Sequence, residues 1–468
     1  MNRGRDLAKN TIIIAIGTIC TKLLTFLLLP LYTSILTTEE YGIVDLFMTI
    51  VSLAVPIMSL QIEQGVFRFL IDSRKEEKKK REVISTGILF TVASAFVYLL
   101  IFLAVSPFIH NEYKYFLATN AVACVLSTML LQISRGIGEN KEYSAAGIIT
   151  AVVTIACNVL FLVSIHLRVD GMLLGTLAGY LVGIVYLFLR LKIYKLFSVH
   201  YCTKKTLKRL IRYSVPLVPN QLSWWVFNTS DRVIVSLMLG LASNGVLSVS
   251  YKFSSIIIII YNIFHMSWTE SVALHINDGD IEKYFNNVFN KILYVFVSLG
   301  FCTIAFMPII FKILVNDNYT DAYYLIPIPI LAAVFQVVVG LISVVYIAKN
   351  NTKAIANTSI ISAIINIVVH LLLIRWIGLY AAVVSTLASY LVFAIYRTHD
   401  VSKKYFKIRY DARKVFLIAV LGAGILVCYY NKSIYMSIAM MVLSVASAIY
   451  LNAGSMKQIY KKLRRKYV

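Results

Sequence analysis

TLAGYLVGIVY at residues 176–186 returns as TLASYLVFAIY at 386–396, with seven of the eleven positions identical. The two copies lie 210 residues apart, and each closes an apolar run long enough to be a helix in a membrane. Outward from them the correspondence continues. Asn158 and Asn366 precede the two copies at an offset of 208, and EEYGIVDL (39–46) answers ASNGVLSV (242–249) weakly, through Gly42 and Gly245. An ordered series of this kind points to a duplicated block of helices. Each block holds an even number of spans, so both enter the membrane in the same sense, as parallel repeats about an axis along the membrane normal.

The composition sets the medium. Of 468 residues, 59% are hydrophobic and 14% charged, and the mean hydropathy is +0.78, far from the usage of a soluble domain. A spanning helix needs about 20 mostly apolar residues, which predicts about fourteen spans. Their cores fall near 10–34, 42–66, 83–107, 115–134, 144–166, 171–189, 214–240, 245–270, 287–311, 322–347, 354–374, 378–396, 415–430 and 433–451. The expected fold is an all-α polytopic membrane protein: two pseudo-symmetric six-helix lobes, 1–195 and 214–400, joined by a basic linker at 196–213. Two further helices and a basic tail occupy 401–468. No outward loop exceeds about a dozen residues, so no extracytoplasmic domain is expected. The first apolar run follows three basic residues, but it spans about 25 residues without a cleavage pattern and reads as a retained helix.

A net charge of +23 suggests nucleic acid until the cations are placed. With the N-terminus inside, 36 of the 45 Lys and Arg fall in inward-facing segments, the richest being 72–82, 190–212, 397–414 and the tail after 456. Only Lys114, Arg168, Lys312, Arg375 and Lys432 fall in outward connections. This is the positive-inside rule. It excludes a nucleic-acid partner, puts both termini in the cytoplasm, and leaves anionic-lipid contact as a by-product. Of the cysteines Cys20, Cys124, Cys157, Cys202, Cys302 and Cys428, five lie in spans; none has metal or disulfide spacing, so they read as small apolar packers. No metal or cofactor is expected.

Chemistry therefore rests on polar groups inside the spans, where a charge costs at least about 2.5 to 3.5 kcal/mol and needs a partner, a wet cavity or escape to the interface. The cations are Lys22, Arg68, Arg232 and Lys252, and the carboxylates Asp45, Glu63, Asp231 and Glu270. Lys22 lies roughly 18 Å of helix from either end of its span, too deep to snorkel easily. Arg68 lies near the inner end of the second span, within snorkelling reach, and Asp45 near the outer surface. Arg232 and Lys252 flank an outer turn near residue 242 at equal distance, so they are expected at one depth, with Asp231 tempering the pair. Adjacent helical residues point about 100° apart, so Asp231 and Arg232 are not natural partners. A net cationic site of guanidinium and ammonium groups suits a pyrophosphate headgroup. Asp45, Asp231, Glu63 in LQIEQGVFRFL (60–70) and Glu270 in MSWTESVAL (266–274) are candidates to bind a coupling proton or sodium ion, the last two being otherwise solvated helix ends. Trp224 and Trp225 lie away from the interfacial belt, as core packing or as walls for sugar rings. Pro30, Pro56, Pro216 and Pro219 are expected to bend spans.

The stretches TTEEYGIVDLFMTIVSLAVPIMSLQIEQGVFRFL (37–70) and SVPLVPNQLSWWVFNTSDRVIVSLMLGLASNGVLSVSYKFSSI (214–256) resemble bacterial polysaccharide flippases. These form the polysaccharide transporter branch of the multidrug, oligosaccharidyl-lipid and polysaccharide exporter superfamily. The resemblance covers nearly the whole chain in span number and order. It implies that an undecaprenyl-pyrophosphate-linked oligosaccharide, such as an O-antigen or capsule repeat unit, is flipped to the outer leaflet of the bacterial inner membrane by alternating access of two lobes. It also implies coupling to a proton or sodium gradient, cavity cations meeting the lipid phosphates, and work beside a polysaccharide polymerase. Lys22, Arg68, Arg232 and Lys252 are the positions here that would fill the cationic role.

Two alternatives stand beside this reading. A multidrug or small-solute antiporter of the same superfamily shares the two-lobed plan but normally stops at twelve spans. A major-facilitator antiporter would carry a glycine-led basic motif in the second loop, where this chain has DSRKEEKKKREV (72–83). A membrane glycosyltransferase or polymerase would present its chemistry on a sizeable outer loop. The only sugar-nucleotide-like pattern, NDGD at 277–280, reads as a polar turn, and the chain as no enzyme.

Overall fold

The computed structural model describes Thr21 and residues 26–349, 351–431 and 433–467, apart from the side chains of 352, 353, 455 and 458–467. Among the described residues every regular element is helical. That follows from the solvent: hydrocarbon offers no partner to backbone N–H and C=O groups, and a helix satisfies them within one segment.

Twelve of the helices are long and apolar enough to cross a membrane, and the chain is a multi-pass membrane protein. The described elements begin with α1 (Leu29–Ile35), α2 (Thr38–Ser59), α3 (Ile62–Ser73), α4 (Glu77–Val105) and α5 (Lys114–Ile137). They continue with α6 (Asn140–Val159), α7 (Arg168–Arg190), the short α8 (Lys204–Ser214), α9 (Val218–Met238) and α10 (Leu241–His275). The last are α11 (Ile281–Leu314), α12 (Pro327–Ala348), α13 (Thr352–Ile377), α14 (Tyr380–Lys404), α15 (Ala412–Tyr430) and α16 (Ile434–Tyr467). Of the fourteen expected spans, the first lies largely outside the described residues, and α9 is not among the twelve. It is long enough, at 21 residues, but Asn220, Gln221, Asn228, Asp231 and Arg232 lower its hydropathy.

The chain packs as two units, Met1–Gly245 and Val246–Val468. Within the first, α9 rests on α2. This grouping therefore sets the seventh span with the N-terminal helices, whereas the repeat in the sequence divides the chain at 196–213. The tightest packing of this unit joins α6 to α7. Gly175, Gly179 and Gly183 form one stripe of α7, and a Cβ at Gly179 would lie 2.8 Å from the Thr150 carbonyl. Small residues at such a seam let two backbones approach in a medium without a hydrophobic drive between helices. Asn158 of α6 is buried and donates to the Tyr32 hydroxyl at 2.6 Å.

In the second unit, α12, α13 and α14 pack together and α11 packs with α15 and α16. The repeat partner of Asn158, Asn366, donates to Thr386 Oγ1 at 3.2 Å. Thr386 in turn bonds back to the Ala382 carbonyl, as Thr176 does to Met172 in the first unit. The duplicated TLAGYLV and TLASYLV segments thus keep the same local bonding. At the far end of α15, the Tyr429 ring stacks on Tyr323 with centroids 4.5 Å apart, and its hydroxyl donates to the Tyr323 carbonyl at 2.6 Å.

The second span is broken where no proline stands. Leu60 and Gln61 both adopt left-handed backbone, φ 48° and 57°, a conformation costing a non-glycine residue about 1 to 2 kcal/mol. They separate α2 from α3, and Gln61 N–H is satisfied by Ser59 Oγ at 3.1 Å. Of the four prolines expected to bend spans, only Pro56 lies inside a helix. Pro30 and Pro219 occupy first turns, and Pro216 a 3-10 turn ahead of α9. There the missing N–H costs nothing.

Candidate functional site

Two of the first unit's membrane-embedded charges, Asp45 and Arg232, meet near the start of α2. Thr37 caps that helix through a reciprocal bond with Glu40, which puts Gly42 and Asp45 one turn apart on its first two turns. Arg232, more than halfway along α9, reaches Asp45 with Nη1 to Oδ1 at 3.2 Å. Asn244 is fully buried and donates to the Gly42 carbonyl at 3.0 Å and toward Asp45 Oδ2 at 3.5 Å. Arg232 keeps 28% of its side-chain surface exposed, against 12% for Asp45. The protein thus covers the ion pair only in part, and the guanidinium keeps surface to offer a ligand.

The neighbouring Asp231 is buried and points to another side of α9. Its adjacency in the sequence to Arg232 is not what pairs the arginine. Two turns nearer the start of α9, Trp225 Nε1 donates to Ser52 Oγ at 2.9 Å and to the Thr49 carbonyl at 3.2 Å. Trp225 and Arg232 are seven residues apart and form one stripe against α2. Trp224, half-buried, meets the edge of Phe227 with centroids 6.4 Å apart.

Glu63 follows the left-handed break and is 2% exposed. Its Oε2 has no hydrogen-bond partner. Arg68, one turn and a half further along α3, lies on the opposite sort of surface. It pairs with Asp72 at 2.8 Å, with both side chains about half exposed. Lys22 lies outside the described residues.

In the second unit Lys252 and Glu270 share α10, about 27 Å apart at ~1.5 Å per residue. Lys252 is half-buried and Glu270 exposed. NDGD at 277–280 is a turn between α10 and α11, where His275 Nδ1 lies 2.7 Å from Asp278.

Among the described residues the largest fully buried side chain is Arg397, 1% exposed, which the positive-inside pattern assigns to a cytoplasmic connection. It has no carboxylate partner among the described residues. Nε and Nη2 donate to Thr358 Oγ1 at 3.3 and 3.0 Å, Nη2 to the Ile355 carbonyl at 3.5 Å, and Nη1 to Ser343 Oγ. The guanidinium carbon sits 4.0 Å from the Phe393 ring centroid and 5.7 Å from that of Tyr346. A signal for it was present. At the 210-residue offset Arg397 falls on Leu187, which is also fully buried, and Ser389, Phe393 and Arg397 continue one helical stripe.

Comparison with known proteins gives concordant results. Residues 7–269 match the model of a family described as polysaccharide biosynthesis protein. An uncharacterized membrane protein of Methanocaldococcus jannaschii, MJ1375, is 24% identical over 278 residues, 54% of this chain and 63% of that protein. The chain thus spans somewhat under two thirds of the length of that relative. Among solved structures, the lipid II flippase MurJ in an inward closed conformation superposes with a TM-score of 0.71 at 14% identity, over 97% of this chain and 100% of that one. An inward-facing multidrug resistance MATE family transporter of the MOP superfamily gives 0.66 at 13% identity, over 83% of this chain and 98% of that one. At these identities the likeness shows a shared fold.

Proposed function

Because the chain belongs to the polysaccharide biosynthesis protein family, we propose that it flips an undecaprenyl-pyrophosphate-linked oligosaccharide from the cytoplasmic to the outer leaflet of a bacterial inner membrane. The observation that carries this reading is the retention of Asp45, Glu63, Asp231 and Arg232 in the membrane helices of one unit, in a fold similar to that of a lipid II flippase. Ionisable groups in membrane helices are rare at their insertion cost and by default mark substrate or ion pathways.

Arg232 is the leading phosphate ligand of the first unit, with Lys22 as a further cation there and Arg68 at the inner end, and Lys252 is the candidate cation of the second unit. The pairing of Arg232 with Asp45 supplies a mechanism. Carboxylate and phosphate compete for one guanidinium, so an arriving headgroup draws Arg232 from Asp45 and its departure returns Arg232 to the carboxylate. Glu63 is the preferred site for the coupling proton or sodium ion, ahead of Asp231 and Glu270, because it is buried with one oxygen unpaired. Trp224 and Trp225 offer ring faces to sugars. In cells the flipped product would pass to polysaccharide polymerase machinery.

A small-solute antiporter is the second reading, and the MATE superposition favours it. The family match favours the first, as do two helices beyond the twelve of the repeat. Deletion in cells without a paralogue is expected to abolish surface polysaccharide and to leave lipid-linked repeat units on the cytoplasmic face, read by protection from an external glycosidase. Normal surface polysaccharide in such cells defeats the proposal.

A further inference from the structure

At one end of the second unit, the start of α11, the segment 405–411 and the turns where α15 begins and the span of α16 ends line an open cavity of ≈ 380 Å³. That size suits a small polar ligand or headgroup. Its walls are built by an asparagine clamp. Asn286 Nδ2 donates to the Lys407 carbonyl at 2.8 Å, Asn290 Nδ2 to the Arg409 carbonyl at 2.9 Å, and Arg409 N–H to Asn286 Oδ1 at 2.7 Å. Three bonds between one helix face and one extended segment fix where the side chains of that segment project.

The charge that this segment, α11 and α15 bring to the cavity is mainly positive. Lys291, Arg409 and Lys414 line the cavity, against one carboxylate, Asp411. That carboxylate is engaged as the cap of α15, accepting from the backbone N–H groups of Arg413 and Lys414 at 3.2 and 3.3 Å. Arg409 is oriented by Glu282 at 2.8 Å, and Lys414 lies 4.4 Å from the centroid of the Tyr294 ring. Leu451 and Gly454 of α16 complete the wall. The cavity thus lies where an apolar span gives way to the basic tail, the level of lipid phosphates. Beside it α15 is 11% buried over its apolar window, so its remaining surface faces lipid chains.

We propose that this cavity binds the phosphate of an anionic lipid headgroup, holding the two C-terminal helices to one leaflet. The leaflet is the cytoplasmic one if the topology of the proposed flippase holds; binding itself does not depend on that reading. Two lipids carry this chemistry, an anionic phospholipid and a polyprenyl pyrophosphate.

The test is lipid retention by the purified full-length protein in detergent, read by native mass spectrometry. The probes are phosphatidylglycerol, undecaprenyl pyrophosphate, phosphatidylcholine and inorganic pyrophosphate. Retention of one or both anionic lipids over phosphatidylcholine is expected, and which of the two is held tells the sources apart. Lys291→Gln with Lys414→Gln is expected to weaken that retention about tenfold, with the melting temperature in the absence of lipid unchanged. If the double variant does not fold, Lys414→Gln alone serves, with a smaller loss. Equal retention of phosphatidylcholine, equal retention by the folded variant, or inorganic pyrophosphate held as tightly as the lipids would each overturn the proposal. None of these readings involves transport, so a failure here and a failure of the flippase reading are separate results.

Discussion

Arg397→Ala is expected to destabilise the second unit by about 3 to 5 kcal/mol, the cost of a large core truncation or of a broken buried polar network. The arginine is 1% exposed and joins three helices: Ser343 is on α12, Ile355 and Thr358 on α13, and Arg397 itself on α14. Truncation removes the shared donor from two hydroxyls and a carbonyl, and opens a void against Phe393 and Tyr346. Arg397→Lys recovers little, because one ammonium cannot reproduce a planar fork that spans both hydroxyls. Arg397→Met is expected to fall between, since a shape-matched apolar chain fills the void without a charge to compensate. Thermal unfolding in detergent gives the order wild type, Met, Lys or Ala. An alanine variant melting with wild type removes Arg397 from any structural role.

The second large effect concerns Gly42. A Cβ there would collide with the Leu241 carbonyl and lie 2.9 Å from Gly245 N, and a Cβ on Gly245 would collide with the Thr38 carbonyl. The two glycines face each other where α2 crosses the start of α10, and Asn244 seals the crossing by its bonds to Gly42 and toward Asp45. Gly42→Leu must therefore separate the helices, at about 1 to 3 kcal/mol of overpacking, and pull Asp45 from Arg232. Lower melting temperature and loss of transport are expected together. Gly42→Ala, needing a smaller shift, is expected to show a weaker form of both. An unchanged melt in Gly42→Leu contradicts the crossing.

These two positions show what could and could not be seen in the chain alone. The weak repeat match at Gly42 and Gly245 marked the right residues, but only the fold shows that the two copies meet. Twelve of the fourteen spans were legible because hydropathy is a local property, and an apolar run of about 20 residues satisfies its backbone in hydrocarbon as a helix. Partnerships were not. Arg232 stands next to Asp231 in sequence yet pairs with Asp45, 187 residues away, because helix geometry turns neighbours apart and tertiary packing brings strangers together. Arg397 was hidden by its surroundings: it opens a stretch rich in Lys and Arg, and a positive-inside count treats every such cation as solvated. The break at Leu60 and Gln61 carried no glycine or proline to announce it. Conversely, Pro216 and Pro219 announce the 3-10 turn that interrupts the helical course between α8 and α9.

The account rests most directly on headgroup movement in proteoliposomes. Purified protein is reconstituted with an undecaprenyl-pyrophosphate oligosaccharide bearing a fluorescent sugar, and a membrane-impermeant quencher reports the leaflet, with and without an imposed proton or sodium gradient. Exchange of the labelled headgroup faster than in protein-free vesicles, accelerated by one gradient in wild type but not in Glu63→Gln, is the expected result. Headgroup exchange no faster than in protein-free vesicles, from protein shown to be folded and inserted, would contradict it.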